Sequence, residues 1–363
     1  MCSSDLNEDI GDRPVDLVLL AGRLGLDDDG WPLTPLVDRI EGRGIGARVL
    51  CSAAGNALDD PRVLEVPWLS RGWLKSLAVH RLRRDPGFKP PGVLHAVHEE
   101  MSSVALALAE AWRIPYIQTI DDFAALDGRL RISRRWLRTL VASSAELASA
   151  LVAELQFPDD QVIVIPPGIV FESAPVRAER WKVPVIGAAG PPIEETGFVP
   201  FLEAARLVLA QGRDAEFLVA NQGGDAIELR RYAQELGIQE RVTVADFPAV
   251  GPRFWAVLDL YCQPSLVPSS GRTLTLALAN GVPSVAADVQ GLRGLIESGR
   301  SGLLAAPGDP SALADAFIEL LDHPDHARAM AAEARDRMHA RFNLDVEADR
   351  LAALYRLVAE PSS

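Results

Sequence analysis

Five consecutive residues, Ser269-Ser270-Gly271-Arg272-Thr273, combine the groups that bind a phosphate at the start of a helix. The free backbone N–H groups of a first helical turn donate hydrogen bonds, and the helix dipole favours an anion there. The glycine allows close approach, and Arg272 adds a positive charge. The same pattern also fits an ordinary serine-capped helix with a surface arginine. The sequence therefore predicts either an anion site or a simple helix start.

Acidic residues follow two predicted strands. His98-Glu99-Glu100 comes after an apolar run at 93–97, and Asp121-Asp122 comes after one at 115–120. Strand ends of this kind often hold ligand groups, so Glu99 or Glu100 could act as a general base, although a solvated loop would look the same. Two adjacent carboxylates without further ligands do not make a metal site, and the six histidines lack HxxxH or HExxH spacing. We expect no metal and no cofactor.

Basic and aromatic residues are concentrated in two runs of the first half, although the whole chain carries a net charge of −14. Such runs suit anionic lipid headgroups, a lipid-linked acceptor or an acidic partner protein. Two solvated helix faces would have the same composition. The negative net charge argues against a nucleic-acid partner, which needs a basic face. The candidate contact residues are Trp68, Arg71, Trp73, Lys75, Arg81, Arg83, Arg84, Arg134 and Arg135.

The elements that must position these groups alternate between strands and helices. Apolar runs such as 15–20 and 47–51 read as buried strands, with helical patterns between them. The alternation restarts near residue 183, which predicts two parallel sheets with helices on both faces. A length of 363 residues is sufficient for two domains. We expect a first domain over 1–173, a linker over 174–182, a second domain over 183–345, and a C-terminal helix within 346–363 that packs back on the first domain.

The chain shows no segment typical of membrane insertion or secretion. The apolar run at 15–21 is too short to cross a bilayer, and the residues before it are acidic, whereas a secretory signal starts with basic residues. Three cysteines without CxxC spacing read as small buried hydrophobes of a reducing compartment. We expect a cytoplasmic protein that can make a peripheral contact at the inner membrane face.

The stretch from 264 to 317 predicts a loop, a short helix that Asn280-Gly281 closes, a buried strand, a second helix, a turn and another helix. Its Pro264-Ser265 and Gly281-Val282-Pro283 stand in the register of the donor-binding segment of glycosyltransferase family 4. The run AVLDLYCQPS at 256–265 resembles that family's AAADLYVLPS, and Val162 to Gly168 resembles its VIPNG strand. The resemblance covers nearly the whole chain and implies an α/β GT-B fold, with two doubly wound Rossmann-like domains facing across a cleft. It further implies that the first domain is the acceptor side and the second the donor side.

The residues that hold the donor in that family are replaced in this sequence. The family uses an Arg and a Lys for the diphosphate, a Glu on the loop for the sugar, a Glu on the helix for the ribose, and a His that faces the sugar. Losing these charges would weaken a sugar-nucleotide by several kcal/mol. At the matching positions the sequence has Pro191, Thr196, Pro268, Leu276 and Asp121, while the glycines Gly190 and Gly197 are retained.

Two functions follow from this mixture of retained and replaced residues. The resemblance implies a role in glycan or glycoconjugate assembly, with a nucleotide-sugar or a glycan as ligand. The replaced charges favour a pseudoenzyme with a binding or partner role. The alternative is an active, retaining, metal-independent glycosyltransferase that holds its donor phosphate with Arg272. No residue is assigned as catalytic, and the donor or anion candidates are Gly190, Thr196, Gly197, Ser269, Ser270, Gly271, Arg272 and Thr273.

Overall fold

The computed structural model describes residues 15–24, 33–70, 74–85, 88–126, 130–170, 183–223, 226–246 and 252–360. The chain divides into two units, and each is built around one parallel sheet. The first unit contains the described parts of Met1–Val170 and Phe342–Ser363, and the second contains those of Phe171–Arg341.

The first unit has seven parallel strands in the spatial order β3-β2-β1-β4-β5-β6-β7. Successive side chains of β1 point to opposite faces, because a strand has a period of two. Leu17 and Leu19 therefore pack in the layer with α1 and α11, and Val18 and Leu20 pack in the layer with α2, α3 and α4. The strands are β1 Val15–Arg23, β2 Ile45–Ala53, β3 Val63–Glu65, β4 Val93–Ala96, β5 Tyr116–Ile120, β6 Leu137–Ala142 and β7 Val162–Val164; the helices are α1 Leu33–Glu41, α2 Leu74–Arg84, α3 Ser102–Trp112, α4 Ala145–Leu155 and α11 Leu344–Ala359.

The second unit has six parallel strands in the order β10-β9-β8-β11-β12-β13. The order reverses between β8 and β11, so the carboxyl ends of these two neighbours form the switch point at which doubly wound sheets bind ligands. The strands are β8 Val185–Gly190, β9 Glu216–Asn221, β10 Val242–Asp246, β11 Leu260–Gln263, β12 Ser284–Ala287 and β13 Leu303–Ala305; the helices are α5 Phe198–Ala210, α6 Ile227–Glu235, α7 Pro252–Val257, α8 Arg272–Ala279, α9 Pro310–Asp322 and α10 Pro324–Arg341. The predicted fold class, two doubly wound α/β domains, is confirmed.

The last helix, α11, packs within the first unit against α1 and the sheet. Its N-terminus is capped by Asn343, whose Oδ1 accepts from the backbone N–H groups of Asp345 and Val346. The segment after β7 crosses this helix start closely. A Cβ added to Gly168 would lie 2.4 Å from the Leu344 Cα, so only glycine fits at the crossing.

One predicted element is wrong. We expected a second helix after the strand near 282–286, but residues 290–295 form a series of turns. Gly291 has a φ of +89°, a conformation that interrupts a helix, and Gly294 follows in the same segment. The helix before that strand ends as predicted, because Asn280 is the C-cap of α8 and Gly281 follows with a φ of +68°.

Candidate functional site

The site predicted in the second half lies at the carboxyl edge of the second unit's sheet. Two loops meet there: residues 191–197 follow β8, and residues 264–271, which we call the donor loop, follow β11. The Leu266 N–H donates to the Glu195 carbonyl at 2.9 Å, which joins the two loops directly. The topology thus brings together Gly190, Thr196 and Gly197 with the segment that leads to Arg272.

Two glycines are required by the closeness of these loops. Gly197 has a φ of +80°, and a Cβ added to it would lie 1.9 Å from the Pro264 carbonyl oxygen. A Cβ on Gly190 would meet the Thr196 Cγ2 at 2.8 Å. Packing between the loops therefore accounts for both glycines, whether or not a ligand binds.

The residues at the replaced positions carry no charge toward this edge. Thr196 is buried, and its hydroxyl donates to the Pro191 carbonyl at 2.7 Å, so it satisfies its own loop. Leu276 is 8% exposed and packs inside the second unit. Pro191 and Pro268 are exposed, and neither side chain can donate a hydrogen bond.

The start of α8 differs from the predicted serine cap. Gly271 is the N-cap, with a φ of +68° and no side-chain cap hydrogen bond. The Ser269 hydroxyl instead accepts the Gly271 N–H at 3.3 Å, and a Cβ on Gly271 would lie 2.5 Å from the Leu295 Cδ1. The first turn of α8 thus lacks a side-chain cap among the described residues, and Arg272 lies half-buried beside it. This geometry removes the main reason to treat the segment as an ordinary capped helix.

At the carboxyl edge of the first unit, the structure provides a partner that sequence reasoning missed. One carboxyl oxygen of Glu99 accepts the backbone N–H groups of Asp121 and Asp122 at 2.9 and 3.2 Å. Burial and the neighbouring Asp121 charge together raise the pKa of Glu99 to about 8. The only sequence signal was that both acidic pairs follow adjacent strands, β4 and β5.

The basic residues of the first unit fall into two places. Lys75, Arg81, Arg83 and Arg84 are carried by α2, and the last three are exposed. Trp68 is half-buried against the core, with the Arg81 guanidinium 5.8 Å from its ring centre. Arg71 and Trp73 lie outside the described residues.

The second basic run lies just before β6. Arg134 and Arg135 are exposed on the turn before that strand, and the Arg135 guanidinium lies 5.1 Å from the Trp136 ring centre. The turn is at the amino end of β6, so it belongs to the opposite edge of the sheet from Asp121. The two runs therefore share an excess of positive charge, but the structure assigns no common ligand to them.

The described residues contain neither a metal-binding cluster nor a helix that could span a membrane. No group of three or more His, Cys, Asp or Glu side chains among them is arranged to hold a metal ion. In the same part of the chain, every helix is too short or too polar to cross a membrane.

Glycosyltransferases are among the known proteins to which this chain is similar. A family model described as "Glycosyl transferases group 1" matches residues 183–323, which cover most of the second unit. An alpha-D-kanosaminyltransferase of Streptomyces kanamyceticus is 30% identical over 175 residues, or 48% of this chain, but the match spans only 45% of that relative. A D-inositol 3-phosphate glycosyltransferase of Thermobispora bispora is 29% identical over 324 residues, covering 78% of this chain and 75% of the relative.

Solved structures agree on the fold. The Anabaena protein HepE, in complex with UDP and glucose, superposes with a TM-score of 0.76 at 19% identity, over 93% of this chain and 98% of that one. At this identity the likeness speaks for the fold alone. Taken with the order of the strands, these comparisons show that the chain has the fold of the GT-B glycosyltransferases and is similar to glycosyltransferases in sequence, most clearly over residues 183–323.

Proposed function

We propose that the protein is a glycosyltransferase-like protein of glycan or glycoconjugate assembly, in which nucleotide-sugar binding is weakened and a binding or partner role takes its place. The observation that carries this proposal is the state of the replaced positions. Thr196 bonds its own loop, Leu276 is buried, and Pro191 and Pro268 offer no donor. The two loops that would surround a nucleotide diphosphate are present, but the side chains at these four positions cannot neutralise its phosphates.

The size of the expected loss follows from the missing hydrogen bonds. A hydrogen bond to a charged group contributes about 1.5–3 kcal/mol. Losing two cations and one carboxylate together weakens a nucleotide-sugar by several kcal/mol, on the order of 10³-fold or more. We therefore expect dissociation constants for UDP-, GDP- and ADP-sugars to be about millimolar or weaker.

Calorimetric titration of the full chain tests this proposal. The native protein is compared with a variant that restores the three charges, Pro191→Arg, Thr196→Lys and Leu276→Glu. Restoration should raise the affinity for at least one nucleotide-sugar. A matched variant with uncharged side chains of similar size, Pro191→Gln, Thr196→Met and Leu276→Gln, controls for altered shape. Micromolar binding to the native protein would contradict the proposal.

A second candidate is an active, retaining, metal-independent glycosyltransferase with an atypical donor site. It is favoured by the start of α8, where Gly271 leaves the first turn without a side-chain cap and Arg272 lies beside it. Backbone N–H groups and one cation at a helix start suit a phosphate. Steady release of nucleotide from a nucleotide-sugar in the presence of an acceptor would support this candidate over the first.

The basic residues of the first unit support a contact with an anionic surface. Arg81, Arg83 and Arg84 are exposed on a single helix of an otherwise acidic chain. Cations close to an anionic membrane contribute about 1 kcal/mol each. Since Trp68 is half-buried, this contact would rest on charge and would weaken as salt rises. An acidic partner protein would have the same salt dependence and is the alternative.

A further inference from the structure

A buried amide lies directly beneath the donor loop. Gln263 is 7% exposed and stands where the AAADLYVLPS pattern of family 4 has a leucine. A buried carboxamide needs hydrogen bonds at both its oxygen and its nitrogen, because an unsatisfied polar group is costly. The Gln263 oxygen accepts the Tyr261 hydroxyl proton at 2.6 Å, and its nitrogen donates to the Ser265 hydroxyl oxygen at 3.1 Å.

Tyr261 stands at one end of this hydrogen-bonded chain. This side chain is fully buried, and its hydroxyl lies near the Thr273 side chain, in the first turn of α8, and near the backbone of Ala189 in β8. Burial raises the pKa of Tyr261 well above its ordinary value, so the hydroxyl keeps the proton that it donates to Gln263. Two buried hydrogen bonds through Gln263 thus join β11 to the donor loop, and the Tyr261 end of this chain faces the first turn of α8.

A leucine at position 263 would break this chain in the middle. The Tyr261 hydroxyl would lose its acceptor, and the Ser265 hydroxyl would lose its donor. Both side chains are buried, Ser265 being 4% exposed, so water could replace neither bond without opening the loop. The amide therefore does something that the leucine of the family pattern cannot do.

We propose that Gln263 is a positioning residue that holds the donor loop and the first turn of α8 in place through Tyr261 and Ser265, independently of any bound ligand. The loop has lost the carboxylate that would contact a ligand at position 268. The internal bonds of Gln263 keep the α8 N-terminus presented at the sheet edge. The identity of the ligand rests on the proposed function. The positioning of the loop by Gln263 is independent of it.

Hydrogen–deuterium exchange of the full chain tests the proposal without a ligand. In Gln263→Leu, amides of residues 264–273 should exchange about tenfold faster, while those of β8 and β12 stay unchanged. Ser284→Ala is the matched control, because it removes another buried hydroxyl, 1% exposed and bonded to the Val282 carbonyl at 2.8 Å on the neighbouring strand. This control should not affect the donor loop.

Rescue separates positioning from a general loss of stability. Gln263→Glu keeps a group that can bond both the Tyr261 and the Ser265 hydroxyls, so the loop should be protected better than in the leucine variant. If Gln263→Leu does not fold, Tyr261→Phe removes only the hydroxyl and carries the same prediction. Unchanged exchange at 264–273, or an increase spread evenly over the second unit, would overturn the proposal.

A binding measurement then links the positioning role to the ligand. Adding Gln263→Leu to the charge-restored triple variant should weaken its affinity for UDP-glucose about tenfold, equivalent to about 1.4 kcal/mol. If the triple variant binds no nucleotide-sugar, the donor-site part of the proposed function fails. The exchange result still decides the role of Gln263 in that case, so the two failures are distinguishable.

Discussion

Replacing Glu347 by glutamine should remove a pH dependence from the stability of the first unit. This side chain is 4% exposed, and its Oε2 accepts the Gly168 N–H at 2.7 Å. Burial raises the pKa of Glu347 from 4.5 to about 8. Burial and the Glu347 charge raise the pKa of the Tyr355 hydroxyl well above its ordinary value, so this neighbour stays neutral across the range.

The sign of the effect follows from proton binding. Between pH 4.5 and about 8 the folded carboxyl keeps a proton that the unfolded chain has released, so raising the pH favours unfolding. A pKa difference of this size corresponds to roughly 4–5 kcal/mol at most, and local relaxation lowers it. The glutamine oxygen can accept the same N–H without titrating. Glu347→Gln should therefore be about 2–4 kcal/mol more stable than the native protein at pH 8, and nearly equal to it at pH 5.

Urea unfolding of the full chain between pH 5 and 8 measures this difference, with hydrogen exchange of residues 162–170 and 344–359 reporting on the first unit. Glu360→Gln is the control, because it neutralises an exposed carboxylate at the end of the same helix. The control should leave the slope of stability against pH unchanged in this window. A stability difference between Glu347→Gln and the native protein that is constant from pH 5 to 8 would refute the reasoning.

Three further measurements follow from the structure. In a denaturation assay, Gly197→Ala should lower the free energy of unfolding of the second unit by several kcal/mol, because its Cβ would clash with the Pro264 carbonyl. Gly212→Ala is the control: Gly212 also has a positive φ, +76°, but has open space around it, so this change should cost only about 1 kcal/mol. Arg272→Ala should weaken any nucleotide affinity by about 1.5–3 kcal/mol, and an unchanged dissociation constant would remove Arg272 from the site. Co-sedimentation with anionic vesicles should occur at low salt and fall at high salt, and reversing three α2 charges should abolish it; equal sedimentation with neutral lipid would contradict a charge-based contact. The reversed residues are Arg81, Arg83 and Arg84.

Local patterns predicted much of the fold. The strand-and-helix alternation gave the two parallel sheets, because buried parallel strands appear as short apolar runs between helical periods. Asn280-Gly281 correctly marked the end of α8, since glycine at this position adopts the left-handed conformation without strain. The prediction of a helix near 290–295 was wrong because it relied on the apolar residues of this segment and gave too little weight to Gly291 and Gly294, which interrupt a helix.

The parts that could not be predicted depend on contacts between distant residues. Glu99 appeared to lack a partner, because the N–H groups that it accepts belong to the end of a neighbouring strand, 22 and 23 residues away. Gln263 looked like one polar residue in an apolar strand, and its role appears only when Tyr261 and Ser265 are seen on either side of it. Sequence spacing gives the strand on which a residue lies, but not which groups on other elements face it.

The retained glycines and the lost charges carry different information about the ligand. Gly197 must be glycine because the Pro264 carbonyl lies against it, and Gly271 because Leu295 and Leu292 do. These constraints come from packing inside the second unit and would persist in a protein that binds no nucleotide. A charged residue at 191 or 276 has no such internal reason, because one position is exposed and the other accepts a leucine. The retained glycines are therefore weak support for donor binding. Positions 191 and 276, where family 4 has charged residues, report on the ligand more directly, and their uncharged side chains weigh against a donor.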